Sequence, residues 1–240
     1  MTAAPREKPT ANNNKEEQIL EGPIKGHFGT WNFTTQDAKG IDIYRTSLLI
    51  GALSAFFPIL SLTLLPLKQI PPQLLDFAYI TWFISMTISL NKIHIYVKPL
   101  HQALKLLLYA GFLATISAHF LLPAEPPTSA FTGGIISHIL LSQRPLLVLA
   151  FCPQMAATTG LFFKEAFCFQ RLEAVALTLL VPYLSVRGLI GWGKADSIMT
   201  VVGGLLYVVF AGRKLIQNKR DDLGDKSVFD YLEEKAAEGA

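Results

Sequence analysis

Long stretches of this chain carry no charge, and its polar residues gather between those stretches and at the two ends. Residues 46–67 run for 22 positions without an ionisable side chain. About 20 apolar residues suffice to cross the hydrocarbon of a bilayer, so this run predicts a transmembrane helix. Pro58 predicts a kink within it, and Lys68 and Pro71-Pro72 end it. A second apolar run covers 74–97, with Asp76 at its start and Asn91-Lys92 near its other end. A third covers 100–122, with Lys105 placed to snorkel and His119 near the far end. Residues 145–163 are again uncharged, 172–192 are interrupted by Pro182 and Arg187, and 195–212 open on Asp196. Segment 128–143 repeats Phe131, Ile135, Ile136, Ile139 and Leu140 at helical spacing but is too short to span, which suits an interfacial or re-entrant helix. The pattern predicts an all-α polytopic membrane bundle of about six helices over 46–215, with both termini on one, inner, side.

The flanks read differently. Residues 1–25 are polar, with Asn12-Asn13-Asn14 and four glutamates, and lack the apolar core of a secretory signal. Such a composition predicts a disordered tail. Residues 26–45 bring Phe28, Trp31, Phe33 and Tyr44 together, as in an interfacial aromatic anchor, with a short strand as the alternative. Residues 216–240 form an acidic tail, in which Ser227-Val228-Phe229-Asp230 is placed to start a short helix.

Composition supports the membrane assignment, with 51% hydrophobic and only 16% charged residues. Seventeen lysines and arginines fall on the inner segments of a six-span arrangement and four on the outer, the bias that orients polytopic proteins. The net charge is +3 and no contiguous basic footprint exists, which excludes nucleic acid as an expected partner. Cys152 and Cys168 form neither a disulfide framework nor a zinc signature. Small residues recur four apart in Ser47-Gly51-Ala55, Ala110-Ala114-Ala118 and Ala156-Gly160, faces on which helices can approach closely.

Chemistry concentrates in one place. Residues 162–173 bring acid, base and thiol together between two apolar runs. Pairing of Lys164 with Glu165, and of Arg171 with Glu173, would let the chain turn at the interface, with Phe162, Phe163, Phe167 and Phe169 as anchors. Cys168 shares a helix face with Lys164 and Glu165. The connection containing His94 and His101 lies on the same inner side. His94, His101, Glu165 and Cys168 are a conceivable metal set, but Pro99 disturbs the histidine spacing and no paired ligand motif exists, so no metal or cofactor is expected. Lys164, Glu165, Cys168, Arg171, Glu173, His94 and His101 are the candidate inner elbow and docking surface. On the outer side Asp76, His119 and Arg187 form a candidate polar trio, either an ion pair of Asp76 with Arg187 or a proton-relay site. No catalytic pair is legible.

Gly26-x-Phe28-Gly29, Tyr44-Arg45, His94-Ile95-Tyr96 with His101, and above all Phe163-Lys164-Glu165-Ala166-Phe167-Cys168-Phe169 resemble the uncharacterised integral-membrane family called domain of unknown function 2301, over roughly residues 26–215. The resemblance implies a small polytopic protein of cyanobacterial or plastid type, in a bacterial inner membrane or a thylakoid, and implies no activity. Two functions are open. One is an accessory or assembly factor acting through its inner elbow and tails on a larger membrane complex; for the chain in general, the protein partners considered are subunits of a membrane complex or further copies of itself. The other is a small transporter or channel for a neutral or weakly charged solute.

Overall fold

A computed structural model describes residues 18–64, 71–121, 145–191 and 194–238. Its elements are strands β1 (Ile19–Lys25) and β2 (Thr30–Thr34), then helices α1 (Thr35–Leu64), α2 (Pro72–Lys92), α3 (Lys98–Leu121), α4 (Pro145–Phe169), α5 (Leu172–Ile190), α6 (Lys194–Ile216), α7 (Lys219–Leu223) and α8 (Lys226–Glu238). Segment 128–143, residues 1–17 and the side chain of His119 lie outside the described residues. The chain divides into a larger unit, residues 40–224, and a smaller one made from residues 1–39 and 225–240.

In the larger unit, five described helices are long and apolar enough to cross a membrane: Thr35–Ser61, Gln73–Lys92, Lys98–Ala118, Leu172–Ile190 and Ala195–Ile216. The first of these starts in the smaller unit. Helix α4 adds 25 residues interrupted only near its end by Lys164 and Glu165. Buried positions follow the helical repeat, as in Leu75, Tyr79, Trp82, Met86 and Leu90 on α2 and Tyr44, Leu48 and Ala52 on α1. The opposite faces are equally apolar, for example Phe77, Ile84 and Leu113. Hydropathy therefore does not mark the inside of this bundle. Close packing does.

The expected small-residue stripes locate that packing only in part. Gly51 faces Ser85 and Tyr207 as a stripe residue should. On α3 the true contact is one position over. Ala110 is exposed, while Gly111 and Thr115 point inward. A Cβ on Gly111 would lie 2.8 Å from the backbone nitrogen of Gln154, so α3 and α4 meet there at backbone distance. On α4, Ala156 is exposed and Ala157 is buried, but Gly160 packs against Leu104 of α3 as a stripe residue should. Near this crossing Tyr79 donates to Gln154 Oε1 at 3.0 Å, and Gln154 Nε2 donates to Thr115 Oγ1 at 3.0 Å. All three side chains are buried, and the Tyr79 ring packs against those of Trp82, Phe112 and Phe151.

The smaller unit corrects the reading of both tails. Residues 19–25, expected to be disordered, are β1, paired antiparallel with β2. Trp31 and Phe33 are buried on one face of β2, and Phe28 stacks on Tyr231 of α8 with centroids 4.0 Å apart. The aromatic segment thus takes the strand alternative, and its helix begins eleven residues before the uncharged run. A reciprocal cap explains that early start. Thr34 N–H donates to Asp37 Oδ2 at 3.0 Å while Asp37 N–H donates to Thr34 Oγ1 at 3.3 Å. Helix α8 is capped by Asp225 rather than Ser227. Its carboxylate accepts from Ser227 N–H at 3.0 Å, Ser227 Oγ–H at 2.7 Å and His27 N–H at 2.6 Å. Partial loss of water pushes the Asp225 carboxyl upward, but these donors outweigh it and hold the group below the usual aspartate range.

Candidate functional site

The elbow is a two-residue turn between α4 and α5. Gln170 adopts φ 49°, a left-handed conformation, and its N–H donates to Ala166 O at 2.9 Å, closing the last turn of α4. The first turn of α5 starts at once, with Val175 N–H on Arg171 O. Two long helices joined by so short a link are held antiparallel, which keeps the residues on either side of the turn at one end of the bundle.

Glu165, on the last turns of α4, is completely buried. It is the centre of a row of alternating charges. Lys164 Nζ reaches its Oε1 at 3.0 Å, and Tyr44 of α1 donates to the same oxygen at 3.0 Å. Lys214 of α6 lies 2.5 Å from Oε2, as an ion pair without hydrogen-bond alignment. Lys214 also pairs with Asp222 of α7. Arg45 of α1 contacts Asp222 Oδ2 through Nε at 2.6 Å, and its other nitrogens donate to the carbonyls of Gln217 at 2.7 Å and Asn218 at 3.0 Å. The Phe169 ring sits between two ammonium groups, 4.0 Å from Lys214 Nζ and 5.3 Å from Lys164 Nζ. Side chains of Arg45, Lys214 and Asp222 are at most 3% exposed. Charges this deep are tolerated only when each neutralises its neighbour, because the desolvation of either alone is not otherwise recovered.

The seven inner candidates separate into groups. Lys164 and Glu165 enter the buried row. Glu173 is buried but pairs with Arg213 of α6 at 3.0 Å, and Arg171, the partner the sequence suggested, is half buried with no side-chain ion pair among the described residues. Cys168 is exposed on the elbow. His101 Nε2 hydrogen-bonds the carbonyl of Leu90, one of the last carbonyls of α2, and so closes that helix end. His94 lies in the link between α2 and α3. Among the described residues no three His, Cys, Asp or Glu side chains gather to hold a metal ion, so the conceivable set of His94, His101, Glu165 and Cys168 is not assembled.

At the other end of α5, Arg187 takes Asp196 rather than Asp76. Its Nε lies 3.1 Å from both carboxylate oxygens and Nη2 2.9 Å from one, and Tyr183 donates to Asp196 at 3.0 Å. Nine residues separate the pair, so it clips α5 to α6 across their own connection. Asp76 is not the partner of that guanidinium, and the side chain of His119 lies outside the described residues.

Sequence reasoning missed Tyr44, Arg45, Lys214 and Asp222. Arg45 and Lys214 read as ordinary flanking cations, and Asp222 as part of a solvated tail. A signal was present for two of them. Arg45 lies one helical turn from buried Ile41 and Leu48, and Lys214 one turn from Phe210 and Ala211, so both continue a buried stripe.

A model of the uncharacterised integral membrane protein family, domain of unknown function 2301, matches residues 88–231. The chain belongs to this family. The match runs from the end of α2 into α8, further toward the C-terminus than the resemblance over 26–215. It contains the elbow, Glu165, Lys214 and Asp222, and leaves Tyr44 and Arg45 outside. Membership makes this protein an integral membrane protein with several apolar helices in contact with lipid, and it brings no activity with it. No curated protein and no solved structure matches the chain.

Proposed function

We propose that this family member is an accessory or assembly factor that docks on subunits of a larger membrane complex through its elbow. One observation carries the reading. The elbow's acids are withdrawn into ion pairs, while Phe163, Phe167, Cys168 and Leu172 stay outside at the turn, Phe167 78% and Leu172 83% exposed. A rigid turn that buries its charge and displays aromatic side chains suits a protein contact better than chemistry.

The proposal includes six spans with both ends on the inner face, in a bacterial inner membrane or a thylakoid. Helix α4, at 25 residues and ~1.5 Å each, is longer than the ~30 Å hydrocarbon core and supplies the sixth span. Packing of residues 18–39 and 225–238 as one unit supports an even number of crossings between them. A membrane-impermeant thiol reagent should modify Cys168 only in vesicles that expose the inner face. Labelling from the opposite face would sink this topology.

A second reading, a transporter of a neutral solute, is favoured by the buried Gln154, Tyr79 and Thr115 cluster beside Pro153, well inside α4. Transport sites lie near the midplane of broken helices. The deciding measurement is the composition of the particle extracted in mild detergent from its native membrane. A stoichiometric larger complex, lost on Phe167→Ser, is expected. A lone monomer or homodimer would move the assignment to transport.

A further inference from the structure

The docking surface at the elbow carries a sign that appears only in the folded chain. Along the sequence, residues 164–173 are neutral, with Lys164 and Arg171 set against Glu165 and Glu173. In the structure both acids are withdrawn. Glu165 is 0% and Glu173 7% exposed, and each is answered by a cation of α6, Lys214 for the first and Arg213 for the second. Arg45 and Asp222, brought by α1 and α7, add one charge of each sign and leave the balance unchanged.

Lys164 and Arg171 are the remainder. Lys164 shares Glu165 with Lys214, so one carboxylate faces two ammonium groups. Arg171 is half buried with no side-chain ion pair among the described residues. Phe169 joins the two cations. Its ring lies under Lys164 Nζ and lines the same shallow cleft as Arg171.

Helix α3 adds to the excess. Gly111 meets Gln154 and Gly160 meets Leu104, so α3 and α4 run antiparallel and the start of α3 is level with the elbow. Lys98 is exposed at that start, and no acid occurs between Asp76 and Glu125. Apolar anchors accompany these cations. Phe163 stacks on Phe167 with centroids 6.2 Å apart, and Leu172 follows just past the turn. Aromatic rings beside an arginine are the composition of protein-interface hot spots, and an acidic partner is the complement of a surface that shows one sign. A lipid headgroup would neutralise the cations but requires no ring pair fixed on a rigid turn.

We propose that the subunit docking on the elbow does so through an acidic segment, in which carboxylates meet Lys164 and Arg171 while apolar side chains between them cover Phe163, Phe167 and Leu172. This inference rests on the accessory-factor reading and adds the chemistry of the partner to it.

The test uses the particle extracted in mild detergent from its native membrane. Arg171→Glu breaks no ion pair among the described residues, so the Tm of the bundle should match the parent. The co-purifying subunit should fall about tenfold, because an attraction becomes a repulsion. Arg171→Gln, which removes the charge without reversing it, should lose less. Arg171→Lys keeps the charge and should keep the subunit. It also supplies an amine, and carbodiimide joins amines to carboxylates in contact. Mass spectrometry of the treated Arg171→Lys particle should find position 171 linked to an aspartate or glutamate of the subunit.

A complex lost on Phe167→Ser but untouched by Arg171→Glu would overturn the acidic segment and leave the elbow as the docking surface. So would a complex in which carbodiimide links position 171 to no carboxylate of the subunit. A link to a further copy of this chain would overturn the assignment to a different subunit. Loss of phosphatidylglycerol, rather than of the subunit, from the Arg171→Glu particle would give the cations to a lipid and overturn the proposal. A particle with no second subunit would overturn the docking reading itself, and the acidic segment with it.

Discussion

Two ion-pair systems sit at opposite ends of helix α5's bundle and differ in almost everything but chemistry. The pair Arg187–Asp196 joins residues nine apart, and the Arg187 side chain is 34% exposed. The row Lys164–Glu165–Lys214–Asp222–Arg45 joins residues up to 177 apart, and four of its five members are at most 3% exposed. The first is a local clip, and water still reaches its guanidinium. The second fastens α1, α4, α6 and α7 to one another, and its members have no solvent to return to. A pair that water still reaches at one member contributes less, because water competes for that member. A buried row contributes little more as a sum, yet loss of any one member leaves another charge stranded. The difference teaches that the row specifies which helices meet, while the clip only steadies two that the chain already holds together.

The comparison can be broken first at Glu165. Glu165→Ala would leave Lys214 without one of its two carboxylates, and removal of one partner from a buried pair costs about 3–5 kcal/mol. Detergent unfolding monitored by the buried Trp82 should report a loss of that size. Partial recovery is expected when Lys214→Met is added, since the stranded charge then goes as well. A Glu165→Ala protein as stable as the parent would show that the row specifies nothing.

A smaller effect is expected from Arg187→Leu. Asp196, nearly fully buried, keeps its hydrogen bond from Tyr183, so the fall in Tm should be well short of that for Glu165→Ala. Asp196→Asn in the same protein should return most of it. If Arg187→Leu proves the more damaging change, exposure and separation are the wrong measures of these systems.

The smallest effect belongs to the smaller unit and is a matter of pH. The Asp225 carboxyl is held low in the folded unit. Its contribution is therefore complete above the ordinary aspartate value of about 3.9 and is lost as pH falls through the lower folded value. The protection factors of the His27 and Ser227 amides should fall on acidification to that range, with those elsewhere unchanged. Asp225→Asn should quicken exchange at neutral pH and remove the acid step. An acid step that survives in Asp225→Asn would assign it to another group.

How far the sequence reaches is set by range. Uncharged runs, prolines and charged flanks determined a polytopic helix bundle, since the bilayer admits few other ways to satisfy a backbone in hydrocarbon. They also marked Lys164, Glu165 and their neighbours as the one crowded elbow, because those residues lie side by side in the chain. They did not determine which face of each helix turns inward. Lipid is as apolar as the core, so Ala110 and Gly111 look alike until the Cβ at 111 is seen to have no room. Nor could they decide that Arg45 and Asp222, each an ordinary charge beside a span, would meet beside Lys214. Only the tertiary structure decided that, because a buried charge must find its partner in space, and nothing in the spacing of two residues 177 positions apart says that they touch.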